Sequence, residues 1–291
     1  MKSLRLVCRV PLVAAFVATV VAFGDESPRL RITWENNTLS ISGPEGPSPL
    51  PGRLLAVNYL EAYCRAGSTE RDWRDTVVKH VTRLVDASDD GRELLLECRL
   101  ADGVVVRHKI VAAADDVDFR LVAHNPTQTA SDVHWAQPCI RVAGFTGRTQ
   151  ETYLPSCFVL IGGKVARLPT MPWATVARYT PGQVYCPAAV PRTDVNPRPL
   201  SSIVPSGGLI GCFSADGKWI MASAWEPYQE LFQGVITCVH SDFRIGGLAA
   251  GKTKEIRGKI YLTRDNIDAL LARYHRDFPE HTAGKAKSPA R

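Results

Sequence analysis

The chain has 291 residues, 45% of them apolar and 22% charged, with a formal net charge of +6. Lys2, Arg5 and Arg9 at the start and Lys285, Lys287 and Arg291 at the end carry the excess, so the body between them is close to neutral. With no basic cluster interleaved with aromatics, nucleic acid is not expected as a partner. The lack of CxxC, GxSxG, P-loop and GxGxxG patterns argues likewise against zinc-knuckle, serine-hydrolase and nucleotide chemistry.

Residues 1–24 read MKSLRLVCRVPLVAAFVATVVAFG. A basic start, an apolar run from Pro11 to Phe23 and a small-residue exit form the pattern of a signal peptide. The run is short for a membrane span of about 20 residues. Cleavage near Gly24 is expected, giving a secreted or periplasmic protein without membrane insertion. Roughly 265 residues remain, enough for a large core. They are read as one domain over 25–280, followed by a small, basic, disordered tail at 281–291.

Further along, ERDWRDTVVKH (70–80) surrounds Trp73 with mixed charge and reads as a rim loop. Its Arg71, Arg74 and His80 are candidates to meet an acidic sugar. ELLLECRLADGVVVRHKIVAAADDVDFRLVAHNP (93–126) contains three strand-like segments separated by ADG and AADD. Leu94, Leu96, Cys98 and Leu100 share one face of the first, and Val117, Phe119, Leu121 and Ala123 one face of the third. This period of two predicts a meander of half-buried antiparallel strands.

In the strand that follows, Trp135, Gln137 and Arg141 share a face. The proline-dense stretch at 169–205 cannot be a central strand and is read as a long ordered excursion that shapes a binding site. After it, LIGCFSADGKWIMASAWEPYQ predicts a hairpin turned at ADGK. Ile220, Ala222, Ala224 and Glu226 share one face of its second strand, where the small residues leave room for a ligand. Ile236, Cys238, His240 and Asp242 share a face of what is read as the neighbouring strand. Ile267, Leu270, Leu271, Tyr274 and Phe278 form one apolar helical stripe, with Asp265 as its expected cap.

Seven cysteines lie beyond the leader: Cys64, Cys98, Cys139, Cys157, Cys186, Cys212 and Cys238. Several fall in apolar strand-like runs, where a thiol acts as a small hydrophobe. One or two disulfides are compatible with an oxidising compartment, with no connectivity readable from spacing. His240 and Asp242 share a strand face, but no HxH or HExxH spacing accompanies them, so neither a metal nor any other cofactor is expected.

Three stretches carry a resemblance. VDFRLVAHNPTQTASDVHWAQPCIRV resembles the segment of galactose mutarotase-like proteins in which a strand ends in an Asn-centred turn and returns into the sugar cleft. SAWEPYQ resembles the late strand that bears the catalytic glutamate of aldose 1-epimerases, and FRIGGLAAGKTKEIRGKIYL their closing turn and last strand. Ala250 and Lys252 replace the usual Pro and Glu there. The resemblance implies a mainly β fold, an antiparallel β-supersandwich with one C-terminal helix, binding carbohydrate in a sheet cleft. It implies Glu226 as general base and a histidine as acid, the latter His134 or a position held here by Gln137.

The expected catalytic residues are therefore Glu226, His134 and His240. Trp135, Gln137, Arg141, Trp225, Tyr228, Asp242 and Arg74 are the expected substrate contacts, with an indole as stacking platform. Plainer readings stand beside these. Glu226 would pair with an arginine, His134 would be an ordinary strand histidine, and the tryptophans would be core. Besides an epimerase-like enzyme, two functions fit. One is a polysaccharide lyase acting on uronates through Tyr228, His134, His240, Arg74 or Arg198. The other is a non-catalytic carbohydrate-binding or structural module.

Overall fold

A computed structural model describes residues 29–43, 50, 54–168, 183–234 and 236–282. The leader at 1–24, the first part of the excursion (169–182) and the tail from 283 lie outside the described residues. Seventeen strands are described. The first eight are β1 (Arg31–Glu35), β2 (Thr38–Ser42), β3 (Leu54–Arg65), β4 (Val77–Val78), β5 (His80–Ala87), β6 (Glu93–Leu100), β7 (Val105–Ala112) and β8 (Asp116–His124). There follow β9 (Val133–Arg141), β10 (Cys157–Ile161), β11 (Lys164–Arg167), β12 (Val184–Tyr185), β13 (Ile210–Phe213), β14 (Trp219–Glu226), β15 (Tyr228–Gln233), β16 (Cys238–Arg244) and β17 (Thr253–Arg264). The helices are α1 (Trp73–Thr76), α2 (Ala143–Thr146) and α3 (Ile267–Asp277).

The strands form two antiparallel sheets. Sheet 1 has the order β1-β2-β3-β9-β16-β15-β12, with β4 also on β3. Sheet 2 has the order β11-β10-β13-β14-β17-β8-β7-β6-β5. The expected meander is β6, β7 and β8, paired in succession at the edge half of sheet 2. Their alternation follows the predicted faces, with Leu94, Leu96, Cys98, Val106, Ile110, Phe119 and Leu121 all buried.

The inward faces of the sheets meet in one large core. Trp225 of sheet 2 lies 4.9 Å, centroid to centroid, from Phe243 of sheet 1 and 5.1 Å from Phe119. Gly258, paired with Trp225 on the next strand, carries the indole directly on its backbone; a Cβ there would fall inside the ring. His108 is buried in the same core between two phenols, with Tyr59 Oη 3.0 Å from Nδ1 and Tyr63 Oη 3.4 Å from Nε2. Burial pulls its imidazole down to about 3, so it is neutral in the fold.

Helix α3 covers the outer face of sheet 2. Leu270, Tyr274 and Phe278 pack on Ile220, Ala222, Ala224, Phe158, Leu160 and Tyr261. The stripe is the predicted one, but its cap is Asn266 rather than Asp265: the Asn266 side chain accepts from Ala269 N at 3.0 Å. Arg273 ties the helix to sheet 2 through Asp115, at 2.8 Å, and Asp116. His281 and Thr282, read from sequence as part of the tail, belong to the fold.

The described part of the excursion covers the outer face of sheet 1. It has a small core of its own, in which Val184, Cys186, Val190 and Val195 pack with Phe232. From outside to outside, the layers are α3, sheet 2, sheet 1 and the excursion.

Candidate functional site

The outer face of sheet 1 carries an unusual concentration of buried polar side chains. Strand alternation puts Gln137 and Cys139 of β9 on this face, with Cys238, His240 and Asp242 of β16 beside them and Glu230 of β15 opposite Asp242. Gln137, Glu230, His240 and Asp242 are each 5% exposed or less. Burying so much polarity is costly unless it is partnered.

One edge of the site is built by a bulge. Between Asn58 and Ala62 the register of β3 against β9 shifts, and Leu60 adopts φ 60°. A leucine in the left-handed region costs on the order of 1–3 kcal/mol, a strain that recurs where a side chain must be re-aimed. Regular alternation would put Glu61 on the core face with Tyr59 and Tyr63. The bulge turns it outward instead, where Asn58 Nδ2 and Gln137 Nε2 each donate to its carboxylate at 3.3 Å.

The excursion is bolted over this face by Asp194. Its carboxylate accepts from Gly67 N at 3.1 Å, from Arg244 Nη1 at 2.9 Å and from His134 Nδ1 at 3.1 Å. Burial alone would raise this carboxyl, but the His134 and Arg244 donors outweigh it and hold Asp194 below the usual carboxylate range. Two residues on, Asn196 N donates to Glu230 Oε2 at 2.8 Å, and Asn196 Nδ2 to Gln137 Oε1 at 3.3 Å.

Between the excursion and the sheet lies a cavity of about 270 Å³. Glu61, Gln137, Asn196 and Arg198 line its polar side, Trp73, Val77 and Phe232 its apolar side, and Cys139, Cys238 and His240 also face it. Trp73 is 41% exposed, on α1 rather than on a loop as expected, while His80 opens β5 in sheet 2 with its ring 5.0 Å from that of Tyr63. Beneath, burial raises Glu230 well above the carboxylate range, and Asp242 adds to it. Asp242 is itself pushed up to about 6 by burial, against the pull of His240. Burial opposes charge on His240, but Cys238 and Asp242 beside it outweigh that and push it up to about 10.

The predicted site residues divide into three groups. Gln137, His240 and Asp242 come together at this face, with Arg141 half-buried at the end of β9 and Arg74 exposed on α1 beside Trp73. His134 and Gln137 do not compete for one place, since they bond to Asp194 and Asn196 of the same loop. Trp135 and Trp225 are corrections: neither is a platform, because both are buried to 1% exposure or less. Trp135 packs with Ala62, Cys64 and Val77 and donates to Ser68 Oγ at 3.1 Å, and Trp225 fills the space between the sheets.

Glu226 is the main correction. Its strand belongs to sheet 2, while His240 and Asp242 lie in sheet 1, so the two are not neighbours. The room left by Ala222 and Ala224 is taken by α3. Glu226 Oε2 instead accepts from His281 Nε2 at 2.9 Å, and His281 Nδ1 lies 2.6 Å from Tyr274 Oη. Tyr228 packs its ring on His281, with centroids 5.0 Å apart. Glu226 and Tyr228 thus form a latch for the end of α3.

Glu61 and Trp73 therefore carry weight that the expected site list did not give them. For Glu61 the available signal is a carboxylate inside the apolar strand LLAVNYLEAYCR.

No protein-family model matches the chain, and no curated protein matches it in sequence. Solved structures of similar shape include a putative aldose 1-epimerase from Escherichia coli K12, 10% identical, covering 81% of this chain and 99% of that one with a TM-score of 0.43. A galactose mutarotase-like protein from Lactobacillus casei is 8% identical, covering 80% and 99% with a TM-score of 0.42. An alpha-mannosidase from Enterococcus faecalis is 9% identical, covering 87% of this chain and 30% of that one with a TM-score of 0.45.

Proposed function

We propose that the protein is exported and binds a carbohydrate in the cavity between the excursion and sheet 1. The observation that carries this reading is the mixed lining of that cavity. An exposed tryptophan, Trp73, lines it together with the hydrogen-bonding side chains of Glu61, Gln137, Asn196 and Arg198. A pyranose ring has the matching character, an apolar side that stacks on an aromatic and hydroxyls that take paired polar contacts. At about 270 Å³ the cavity lies just under the usual range for ligand pockets, about 300–1,000 Å³. That favours one sugar unit over a long chain. Glu61 is the acceptor for a sugar hydroxyl in this reading, because the bulge at Leu60 turns it to the cavity. In an enzyme it is the group that would take a proton.

The test is calorimetric titration of neutral and uronic monosaccharides into the full chain. At least one should bind, with Trp73→Ala weakening it by at least about tenfold, the worth of roughly 1.4 kcal/mol of stacking. Glu61→Gln should weaken it too, without loss of fold. A panel in which no saccharide binds, or binding indifferent to Trp73→Ala, would overturn the reading.

A further inference from the structure

At the floor of the cavity three soft ligand atoms converge. Cys139 Sγ, Cys238 Sγ and His240 Nε2 all lie within 4.8 Å of one another, and Cys238 Sγ is 3.3 Å from His240 Nε2. Ligands held about 2.0–2.3 Å from a tetrahedral zinc ion are roughly 3.5 Å apart. The convergence follows from sheet register. Cys238 pairs with Arg141 on the adjacent strand, two residues beyond Cys139, and His240 lies two beyond Cys238, so all three side chains leave the same face.

We infer that Cys139, Cys238 and His240 form a binding site for a thiophilic divalent cation of the zinc type, with its fourth position open to the cavity. Two thiolates and an imidazole suit such an ion and disfavour magnesium or calcium, which take oxygen ligands. Three protein ligands plus one open position is also the arrangement zinc keeps where it meets a small molecule. All three residues line the cavity, so the open position faces the space that Glu61 and Gln137 border.

A second observation supports the site independently. Asp242 is fully buried, and neither of its carboxylate oxygens has a hydrogen-bond partner. One of them lies 3.7 Å from His240 Nδ1, which is itself unpartnered. Metal-binding histidines commonly present their second ring nitrogen to a carboxylate, which fixes the tautomer and the ring. With an Nδ1–H directed at Asp242, the ion takes Nε2 by displacing the proton there, as metal binding to a protonated histidine requires. The Phe232 ring, 4.8 Å from the imidazole, holds its plane. The backbone at Gly234 runs so close to the Cys238 sulfur that any side chain there would overlap it.

Elemental analysis after chelator stripping and zinc titration of the reduced full chain should find one zinc per chain. Cobalt in its place should give thiolate charge-transfer absorption. In the unmutated protein, zinc should shield two of the seven buried thiols from alkylation, a readout that needs no variant. Cys139→Ser, Cys238→Ser and His240→Asn should lose the metal, and Cys98→Ser, in the other sheet, should keep it. Asp242→Asn should weaken binding by about 10–100-fold. A Cys139–Cys238 disulfide in the isolated protein would overturn the site, as would zinc uptake unchanged in the double Cys139→Ser/Cys238→Ser variant or thiols left unshielded by zinc. Metal analysis and saccharide calorimetry read different ligands, so failure of either proposal leaves the other standing.

Discussion

Replacing Asp194 with alanine should release the excursion from sheet 1. The carboxylate accepts three hydrogen bonds, from Gly67, His134 and Arg244, two of them from cationic or protonatable donors. Breaking a buried ion pair costs about 3–5 kcal/mol when the orphaned charge stays buried. Here the Arg244 and His134 side chains are 20% and 23% exposed, so water replaces part of what is lost. The expected cost is therefore at the lower end, about 3 kcal/mol. Asp194→Asn keeps size and one acceptor oxygen and should cost about half as much, since bonds to charged groups are worth about 1.5–3 kcal/mol against about 1 for neutral ones. Urea denaturation measures the global part, and hydrogen exchange of 183–201 measures local release. The acid limb gives a sign. Because the folded carboxyl is held below its unfolded value, its contribution is present above about pH 4 and is lost as pH falls through the lower folded value. A loss under about 0.5 kcal/mol in Asp194→Ala, with exchange of 183–201 unchanged, would refute the argument that these bonds hold the wall.

Four other substitutions test three separate parts of the fold. Glu226→Gln keeps an acceptor for His281 and should cost only about 1 kcal/mol, whereas His281→Ala strands the buried Tyr274 hydroxyl and should cost about 2–4 kcal/mol. Saccharide binding abolished by Glu226→Gln at full stability would show that the latch reading is wrong. His108, neutral in the core with its value depressed to about 3, makes the unfolded chain bind an extra proton below about pH 6.5. Stability should therefore fall by up to about 1.4 kcal/mol per pH unit from pH 6.5 toward 3, and His108→Gln should flatten that slope in denaturant titrations. Gly258→Ala should cost at least about 1–3 kcal/mol by melting curves, because the new methyl overlaps the Trp225 indole. A neutral result would mean that the indole can move aside.

Much of the fold was legible because it is written in local periods. The meander at 93–126 and the stripe from Ile267 to Phe278 are patterns of two and of three to four, and both form as read. Which layer covers a face is not local. Ala222 and Ala224 do mark space beside Glu226, but α3, more than 40 residues later, occupies it. The proline-dense excursion does wall the candidate site, yet over sheet 1 rather than over Glu226. Glu61 escaped because parity assigns it to the core alongside Tyr59 and Tyr63, and nothing in YLEAY announces a leucine at φ 60°. Cys139 and Cys238 meet only through the register of β9 with β16, a pairing across about a hundred residues of chain.

The small cluster of Val184, Cys186, Val190, Val195 and Phe232 straddles the join between the cavity wall and the sheet beneath it. Val184 pairs with Phe232, and Tyr185 with Leu231, so the wall begins as an edge strand of sheet 1. The polar contacts at Asp194 and Asn196 add to that ladder. The wall is thus fixed at its strand end and at its tip before any ligand arrives. A site ordered in advance loses less freedom when it is filled, so the affinity of an occupant is not spent on assembling the cavity.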